Sequence, residues 1–431
     1  MQHNQHIVND PVYGFISIPR GLLLEIIAHP YFQRLDRVRQ LGLSSVVYPG
    51  AQHTRKQHSL GAYHLMTEAL QTLAAKGEFI FDSEAEAAQA AILMHDLGHA
   101  PFSPVLEDTL TRSMGHEEIS LLMMERINQD LRGELSLAIS IFRDKHPKKF
   151  LHELICSQLD MDRLDYLCRD SFYTGVREGN IGAARIIKML NVADGHLVVD
   201  AKGIYSVENY LLARRLMYWQ VYLHKTAVAA ECMLRHALLR AKHLAMTGTE
   251  LFASPALRYF LYNDVSAAHF HAETEECLKH YAALDDSDIL SALKVWSEGS
   301  DKVLSRLCSD FIGRRLFRAE MFEGEVPEEE VEQRRRQVAH AMGISADEAR
   351  SFVEVKRVAK EMYSATTEGI RLLYPDGTVH DVAAASHIVN ADTPVATDCK
   401  HYLLSLRTDN CAGSNFLSPV SIKTKRAHTS V

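Results

Sequence analysis

The sequence predicts a mainly α-helical protein with a short β-hairpin and a small α+β unit near its C-terminus. Apolar residues recur at helical spacing through most of residues 1–320. The alternating pattern of strands is confined to short stretches at 196–207 and 369–382. We therefore expect a helical domain at 1–320, an α+β subdomain at 321–408 and a disordered Ser/Thr/Lys tail at 409–431.

Local signals place the individual elements along the chain. Pro30 divides the amphipathic stretch 21–42 into two helices, and 44–50 is predicted to be extended. Further helices are predicted at about 54–75, 83–97, 115–127, 129–145, 147–170 and 210–246, with others up to Arg318. Strand pairs are predicted at 196–200 with 203–207 and at 369–374 with 378–382, which 401–406 could join. The charge-dense segment 323–336 is a solvated helix face or a mobile connector.

Composition and charge exclude several classes of protein. The net charge of −8 gives no global electrostatic case for binding nucleic acid or a membrane surface. No apolar run approaches the roughly 20 residues that a membrane span needs, and the polar residues 1–10 contain no apolar signal core. The seven cysteines are scattered without a C-x-x-C pair, which indicates a reducing compartment. We therefore expect a cytoplasmic protein without a membrane or a dedicated nucleic-acid partner.

The stretch Ile92–His99 holds the most informative motif. An apolar run ends in His95 and Asp96, and His99 follows four residues after the first imidazole. On a helix, both imidazoles share one face with the carboxylate beside them. A neutral nitrogen and an anionic oxygen suit a divalent metal such as Mn, Fe, Zn, Co or Mg. A solvated helix end with a capping or macrodipole role is the alternative.

A hydrolytic metal site needs further donors, and the sequence offers them. His58 and one carboxylate from 158–166 would complete a set of two imidazoles and two carboxylates, leaving positions for water and a phosphate oxygen. These residues lie on separate predicted helices, which suits a metal site inside a helical bundle. Spacing alone does not choose them among 23 histidines and 55 acids. Position along the predicted helix does not favour Asp162 over Asp160 or Asp165 as the metal ligand.

The candidate donors belong to a series of ordered blocks. The blocks are Asn9-Asp10-Pro11, Phe32-Gln33-Arg34-Leu35, Gln40-Leu41-Gly42, Tyr48-Pro49-Gly50-Ala51, Arg55 to Gly61, His95 to Ser103, His116-Glu117, Asp160 to Tyr166, Arg169-Asp170 and Tyr222 to Lys225. Together they resemble the HD superfamily of metal-dependent phosphohydrolases, which implies an HD-domain helical bundle. Within that superfamily they are most similar to deoxynucleoside triphosphate (dNTP) triphosphohydrolases like the vertebrate SAM- and HD-domain enzyme and its bacterial relatives.

The resemblance implies roles for the matching residues. The implied ligands of one divalent ion (Mn, Fe, Zn, Co, Ni or Mg) are His58, His95, Asp96 and Asp162. The implied catalytic residues are His116, which would protonate the departing 5′-oxygen, His99 near the α-phosphate, and Glu107 in place of a common aspartate. The implied substrate contacts are Arg55, Arg163, Tyr166 and Arg214 for phosphate, Asp170 and Tyr222 for the sugar, and Gln40 and Leu41 on the deoxyribose side.

Ordinary structural roles stand beside these implied ones. Arg215 is as plausible a phosphate contact as its neighbour Arg214. Arg163 and Arg169 could instead be surface partners of nearby acids. In a helical protein Tyr166, Tyr222 and Leu41 are more often core residues than substrate contacts. His53, His64 and His152 carry no motif.

Two departures from the family pattern affect what the resemblance implies. Pro104 stands where close relatives have a second imidazole, so that part of the machinery is absent or supplied elsewhere. Ala28 and Asp36 stand where vertebrate relatives read a guanine nucleotide. No strict GTP dependence is therefore expected, although His224-Lys225 could contact an effector phosphate.

The function that the resemblance implies is hydrolysis of dNTPs to deoxynucleoside and triphosphate. A homodimer or homotetramer and a nucleotide effector are expected by analogy with the relatives. The alternatives are an HD phosphohydrolase acting on a nucleoside monophosphate, (p)ppGpp or a cyclic dinucleotide, and a nucleotide-sensing scaffold with a weak site.

Overall fold

The computed structural model describes residues 5–111, 114–360, 369–386 and 398–408, and it is mainly helical, as predicted. The α-helices are α1 (Leu22–Ala28), α2 (Pro30–Gln33), α3 (Arg55–Ala75), α4 (Asp82–Met94), α5 (Val105–Thr109), α6 (His116–Asp130), α7 (Ser136–Phe142), α8 (Lys149–Glu153), α9 (Met161–Thr174), α10 (Ala183–Met189), α11 (Ile204–Met217), α12 (Lys225–Met246), α13 (Pro255–Tyr262), α14 (Ala267–Ala272), α15 (Thr274–Ala283), α16 (Asp286–Trp296), α17 (Lys302–Ile312), α18 (Glu328–Met342), α19 (Ala346–Ala349) and α20 (Val382–Ala385). Among the described residues, no helix combines the length and the apolar character that crossing a membrane requires.

The strands form three small sheets. They are β1 (Gln5–Asp10), β2 (Gly14–Pro19), β3 (Leu190–Ala193), β4 (His196–Asp200), β5 (Arg318–Phe322), β6 (Val353–Lys360), β7 (Arg371–Leu373), β8 (Val379–Asp381) and β9 (Asp398–Ser405). Their orders are β1-β2, β3-β4-β7-β8 and β5-β9-β6. The β4–β7 pair is parallel and the other pairs are antiparallel.

Helix α3 lies at the centre of the bundle that carries the candidate site. It begins at a capping box, in which the backbone N–H of Thr54 donates to Gln57 Oε1 at 2.9 Å. Its apolar face, including Leu60, Tyr63 and Met66, is buried against α4 and α9. The start of α3, the end of α4 and the start of α9 therefore meet at one end of the bundle.

The N-terminal residues form a hairpin that was not predicted from the sequence. Asp10 Oδ1 accepts hydrogen bonds from the backbone N–H groups of Val12 and Tyr13, at 2.9 and 3.0 Å, and Gly14 follows with φ 79°. Only the second strand buries an alternating pair, Ile16 and Ile18. The first strand is mostly exposed, so its apolar signal was too weak to predict it.

Helix interruptions account for further differences from the predictions. Residues 44–50 are not extended, because a 3-10 helix occupies Gly42–Val46. The single helix predicted at 210–246 is wrong: α11 ends at Met217, one π-helical turn follows at Tyr218–Tyr222, and α12 begins at Lys225. His224 caps α12 by accepting a hydrogen bond from Thr226 N at 3.2 Å.

The β-pairing near residue 200 also differs from the prediction. Strand β4 pairs with β3 across the Asp194-Gly195 turn, and residues from Ile204 onward are helical. Both turn residues have positive φ, as the type I′ hairpin turn requires, and Asp-Gly is a favoured sequence for it. The predicted hairpin would instead turn at Ala201-Lys202, and neither of these residues is suited to positive φ.

The C-terminal predictions have mixed outcomes. The β7–β8 pair is confirmed, and it joins β4 in a parallel arrangement. Residues 401–405 lie instead in β9, between β5 and β6. Most of the charge-dense segment 323–336 lies in α18, with Glu328 and Glu329 exposed, which agrees with a solvated helix face. The domain boundary near residue 320 stays a prediction, and the predicted tail 409–431 lies outside the described residues.

One glycine near the candidate site can be tested directly. A Cβ atom at Gly98 would overlap the carbonyl oxygen of His116 and the amide nitrogen of Ser120, and neither backbone atom can rotate away. We expect Gly98→Ala to lower the free energy of unfolding by about 1–3 kcal/mol, measured by urea denaturation. Gly115→Ala is the control, because a Cβ atom at Gly115 would have no neighbour within 4 Å among the described residues; equal losses in both variants would contradict the steric explanation.

Candidate active site

Two imidazoles and two carboxylates meet where α3, α4 and α9 converge. His58 Nε2 lies 3.3 Å from His95 Nε2 and 3.1 Å from Asp162 Oδ1. His95 Nε2 lies 3.5 Å from the same Asp162 oxygen and 3.3 Å from Asp96 Oδ1. Donors bound about 2.1 Å from one ion lie roughly 3.0–3.4 Å apart, so these spacings fit a divalent metal.

The second ring nitrogens explain why both Nε2 atoms face the same point. His58 Nδ1 lies 2.7 Å from Asp165 Oδ2, and His95 Nδ1 lies 2.6 Å from the carbonyl oxygen of Ile92. With Nδ1 as the donor in each ring, both Nε2 atoms keep a lone pair for a metal. Burial opposes protonation of His58, but the carboxylates of Asp162 and Asp165 outweigh it and raise its pKa to about 10. The cluster therefore favours a positive charge at its centre.

The geometry shows which of the three acids Asp160, Asp162 and Asp165 can bind the metal. Asp160 is fully buried, caps α9 through Arg163 N at 2.7 Å, and also pairs with the Arg163 guanidinium. Asp165 is fully buried behind His58. Asp162 alone of the three places an oxygen beside both imidazole Nε2 atoms, and its side chain is 25% exposed.

The HD motif is a loop rather than a helical turn. Helix α4 ends at Met94, so the prediction that His95 and His99 share a helix face is wrong. His95 faces His58, whereas His99 stacks on His116 with ring centroids 3.9 Å apart. The two imidazoles of the motif thus serve different clusters.

The second cluster joins His99, Ser103, Glu107 and His116. His99 Nδ1 lies 3.0 Å from Ser103 Oγ, which also hydrogen-bonds to Glu107. His116 Nδ1 lies 3.6 Å from the other Glu107 oxygen. Burial lowers the pKa of His116, but Glu107 outweighs it and the pKa is raised. Glu107 thereby favours the protonated form of the His116 ring, whose side chain is 37% exposed.

Basic side chains lie next to the metal-ligand candidates. Arg55 NH1 donates to Asp96 Oδ2 at 2.7 Å. Arg214 is buried, and its Nε and NH1 have no hydrogen-bond partner among the described residues. Burial lowers the pKa of Arg214, but the tyrosines Tyr210 and Tyr166 contribute the opposite effect and the pKa is raised. Arg215 is exposed on α11, so Arg214 is the buried one of the two neighbouring arginines.

A polar network of Asp170, Tyr222 and His53 lies next to Tyr166. Asp170 accepts from the Tyr222 hydroxyl at 2.7 Å, and its other oxygen lies 2.7 Å from His53 Nε2. The rings of Tyr166 and Tyr222 contact edge to face, with centroids 6.0 Å apart. Gln40 joins the network through its backbone N–H, which donates to His53 O at 3.0 Å. Its Oε1 is buried without a hydrogen-bond partner among the described residues, and Leu41 follows it, partly buried.

Sequence reasoning missed the residues that hold these groups in place. Asp165 and Arg169 are fully buried, with Arg169 Nε 3.0 Å from Asp165 Oδ2 and NH1 2.7 Å from Asp10. His53, which carried no motif, is buried and stacked on Tyr173. The only sequence signal for Asp10 and Arg169 was their presence in the ordered blocks.

The loop that carries the HD motif is held by distant side chains. Arg34 NH1 donates to the carbonyl oxygens of Leu97 and His99, at 2.8 and 3.0 Å. The Tyr281 hydroxyl donates to Gly98 O at 2.7 Å. Ser120 Oγ donates to His95 O at 2.8 Å and accepts from Gly98 N at 2.8 Å. The loop backbone is thus fixed by three separate elements of the chain.

A buried acid, Asp286, lies behind the segment that carries Gln40. Its Oδ2 accepts a hydrogen bond from Arg39 N at 3.2 Å, and its Oδ1 has no partner among the described residues. Burial raises its pKa from 3.8 to about 6.

A helical bundle that gathers two imidazoles and two carboxylates beside buried guanidinium groups has the composition of a metal-dependent phosphoester hydrolase. Comparison with known proteins agrees with this class. The HD domain family model matches residues 55–170, and the HD associated region matches residues 181–254. The chain belongs to the HD family of phosphohydrolases.

The similar proteins cover the chain to different extents. The crystal structure of a phosphohydrolase from Bacteroides thetaiotaomicron is 57% identical, covers 94% of this chain and 100% of its own, and superposes with a TM-score of 0.91. The uncharacterized protein YwfO of Bacillus subtilis is 34% identical over 73% of this chain and 71% of its own length. The human deoxynucleoside triphosphate triphosphohydrolase SAMHD1 is 30% identical over 56% of this chain. This chain spans about half, 46%, of that enzyme.

The raised pKa of Asp286 predicts that the free energy of unfolding depends on pH. Because its pKa is raised in the folded state, its stability contribution is complete below the unfolded value of 3.8 and is lost as the pH rises through about 6. We expect Asp286→Asn to change stability little near pH 4 and to increase it by about 1–3 kcal/mol near pH 8. Urea denaturation at both pH values measures this. Glu250→Gln, at an exposed acid, is the control, and a pH-independent effect of Asp286→Asn would contradict the explanation.

Proposed function

We propose that this protein is a metal-dependent dNTP triphosphohydrolase that releases deoxynucleoside and inorganic triphosphate. The observation that carries the proposal is the buried Arg214 guanidinium, two of whose nitrogens have no hydrogen-bond partner among the described residues. A buried cation without a hydrogen-bonding anion is costly, and a phosphate group would supply that anion. Arg55 Nε is likewise buried and unpartnered within the described part of the chain. Together with Arg163, these groups can oppose the charge of a polyphosphate.

His58, His95, Asp96 and Asp162 are the residues that would hold the metal. A bound divalent ion would lower the pKa of a coordinated water and neutralise charge on the α-phosphate. The donor set of two nitrogens and two oxygens suits Mn, Fe, Zn, Co or Ni, with Mg less favoured by imidazole. Arg55 binds the Asp96 oxygen that does not face His95, so it orients the carboxylate as well as reaching the substrate side.

His116 is the proposed general acid. Hydrolysis at the α-phosphorus expels the 5′-oxygen of the nucleoside, which must receive a proton. The ring is partly exposed, Glu107 raises its pKa and so favours its protonated form, and its stacking on His99 holds its orientation. Ser103, the residue before Pro104, links His99 to Glu107. This hydroxyl would take the place of the imidazole that relatives carry at Pro104.

The deoxyribose would lie against Tyr222, Asp170, Gln40 and Leu41. The Asp170 carboxylate is fixed by His53 and Tyr222, so it can orient the Tyr222 hydroxyl toward a sugar oxygen. We expect a 2′-hydroxyl to be crowded against the apolar side chain of Leu41, which would favour deoxynucleotides over ribonucleotides.

Product analysis tests the proposed reaction. We expect the purified protein, given Mn²⁺ and each dNTP, to form deoxynucleoside and triphosphate, and Asp96→Ala to lose this activity because a metal ligand is removed. Chromatography of nucleosides and phosphates separates the products. Activity that is absent with single dNTPs but switched on by GTP would refute the expected independence from GTP, and turnover only in dNTP mixtures would indicate activation by a nucleotide. Hydrolysis of nucleoside monophosphates, (p)ppGpp or cyclic dinucleotides instead of dNTPs would contradict the proposed substrate, and nucleotide binding without turnover would favour a sensing scaffold.

The same assay resolves the role of the buried arginine. We expect Arg214→Gln to reduce kcat/KM for dNTPs by about 10- to 100-fold, because a charged hydrogen bond to phosphate is lost. Arg215→Gln, the matched control on the exposed side of α11, should remain within about twofold of the wild type. Equal losses in both variants would argue against phosphate binding by Arg214.

A further prediction concerns Asp165, the acid that contacts the ring of His58. Asp165 fixes the His58 ring through Nδ1, and loss of such a partner typically weakens metal binding 10- to 100-fold. We therefore expect Asp165→Asn to increase the Mn²⁺ dissociation constant by about that factor, measured by isothermal titration calorimetry. Asp310→Asn removes another buried acid with two arginine partners and should leave the constant unchanged. If both variants bind Mn²⁺ like the wild type, the orienting role is wrong.

A further inference from the structure

A further group of potential metal ligands lies on elements that contribute nothing to the cluster of His58, His95, Asp96 and Asp162, here called the HD cluster. Cys232 and His236 are one helical turn apart on α12, and Glu354 projects from β6. One donor atom from each lies within 4.8 Å of the other two. Glu354 Oε2 is 2.8 Å from both Cys232 Sγ and His236 Nε2. A thiol, an imidazole and a carboxylate therefore converge on one point.

The surroundings orient these donors toward that point. Arg235 binds the other Glu354 oxygen, Oε1, which leaves Oε2 directed at the cysteine and the histidine. His236 Nε2 is buried and makes no hydrogen bond with acceptable geometry among the described residues, although Oε2 is close. A simple ion pair would be expected to align this N–H with the carboxylate. This nitrogen is therefore available as a metal donor beside Glu354 Oε2.

We propose that Cys232, His236 and Glu354 bind a second divalent metal ion, with Zn²⁺ the best match. Sulfur, nitrogen and oxygen donors in this number are the ligands that Zn²⁺ takes in proteins, and an i, i+4 pair on a helix places two of them on one face. A thiolate and a carboxylate balance the charge of the ion, so burying the site adds no net charge. A solvent molecule completes the tetrahedron.

The position of the site gives it a structural role. Strand β6 is an edge strand of the β5-β9-β6 sheet, and α12 packs against α5 and α17 of the helical bundle. An ion held by both elements ties the C-terminal sheet to the bundle. The side chains of His236 and Glu354 are 16% and 15% exposed, so an ion can enter from solvent without unfolding of the sheet.

Cobalt spectroscopy of the full-length protein tests the proposal. The HD cluster supplies only nitrogen and oxygen, so a thiolate-to-cobalt charge-transfer band in the near ultraviolet reports on the cysteine site alone. We expect chelator-treated protein titrated with Co²⁺ to develop this band, and Zn²⁺ to abolish it by displacement. The band should be absent in Cys232→Ala and retained in Asp96→Ala. Failure of the dNTP assay would therefore leave this result unaffected.

Matched variants separate metal binding from loss of the fold. Cys308→Ala removes another buried thiol, on α17, and should keep the band. His236→Gln and Glu354→Gln retain the thiol and should weaken Co²⁺ binding at least about tenfold, with native circular dichroism confirming that each variant is folded. The proposal would be overturned if the wild type showed no band, or if the band survived Cys232→Ala. The cluster would then be an ion-pair network of Arg235, Glu354 and His236.

Discussion

The candidate site depends on a buried chain of charges that runs from Asp10 through Arg169 and Asp165 to His58. All four side chains are almost completely buried, and each charged group has an oppositely charged or hydrogen-bonding neighbour. Removing one member of such a chain typically costs about 3–5 kcal/mol, because the remaining charge is left without compensation. The chain also joins the N-terminal hairpin, α9 and α3, so the orientation of His58 depends on three parts of the sequence.

This charge chain also controls how closely α3 and α9 approach. A Cβ atom at Gly61 would overlap the Asp165 carboxylate and the Arg169 guanidinium. Glycine at this position therefore lets the ion pair lie directly against the α3 backbone. The close approach places His58, on α3, beside Asp162, on α9, at 3.1 Å. Packing and metal-ligand geometry are thus consequences of the same contact.

The sequence was sufficient where structure is determined by local pattern. Helix α3 was predicted at 54–75 and spans Arg55–Ala75, and the start of α4 was predicted within one residue of Asp82, because both helices have regular apolar faces. The π-helical turn at Tyr218–Tyr222 was not predictable, because its residues continue the apolar pattern of the flanking helices. The resemblance supplied candidate residues, but it assigned no function to Asp165 or Arg169. Their roles follow from contacts across the fold, which periodicity does not encode.

The HD motif illustrates this limit most clearly. If α4 continued through the whole motif to His99, His95 and His99 would project in similar directions. The helix ends at Met94 because Arg34, Tyr281 and Ser120 supply hydrogen bonds to the backbone beyond it. Two of these side chains lie 63 and 183 residues from the carbonyls that they bind. The resulting loop sends His95 to the metal-ligand cluster and His99 to the cluster of Glu107 and His116. A single motif can therefore serve both metal binding and proton transfer only because distant residues replace its helical hydrogen bonds.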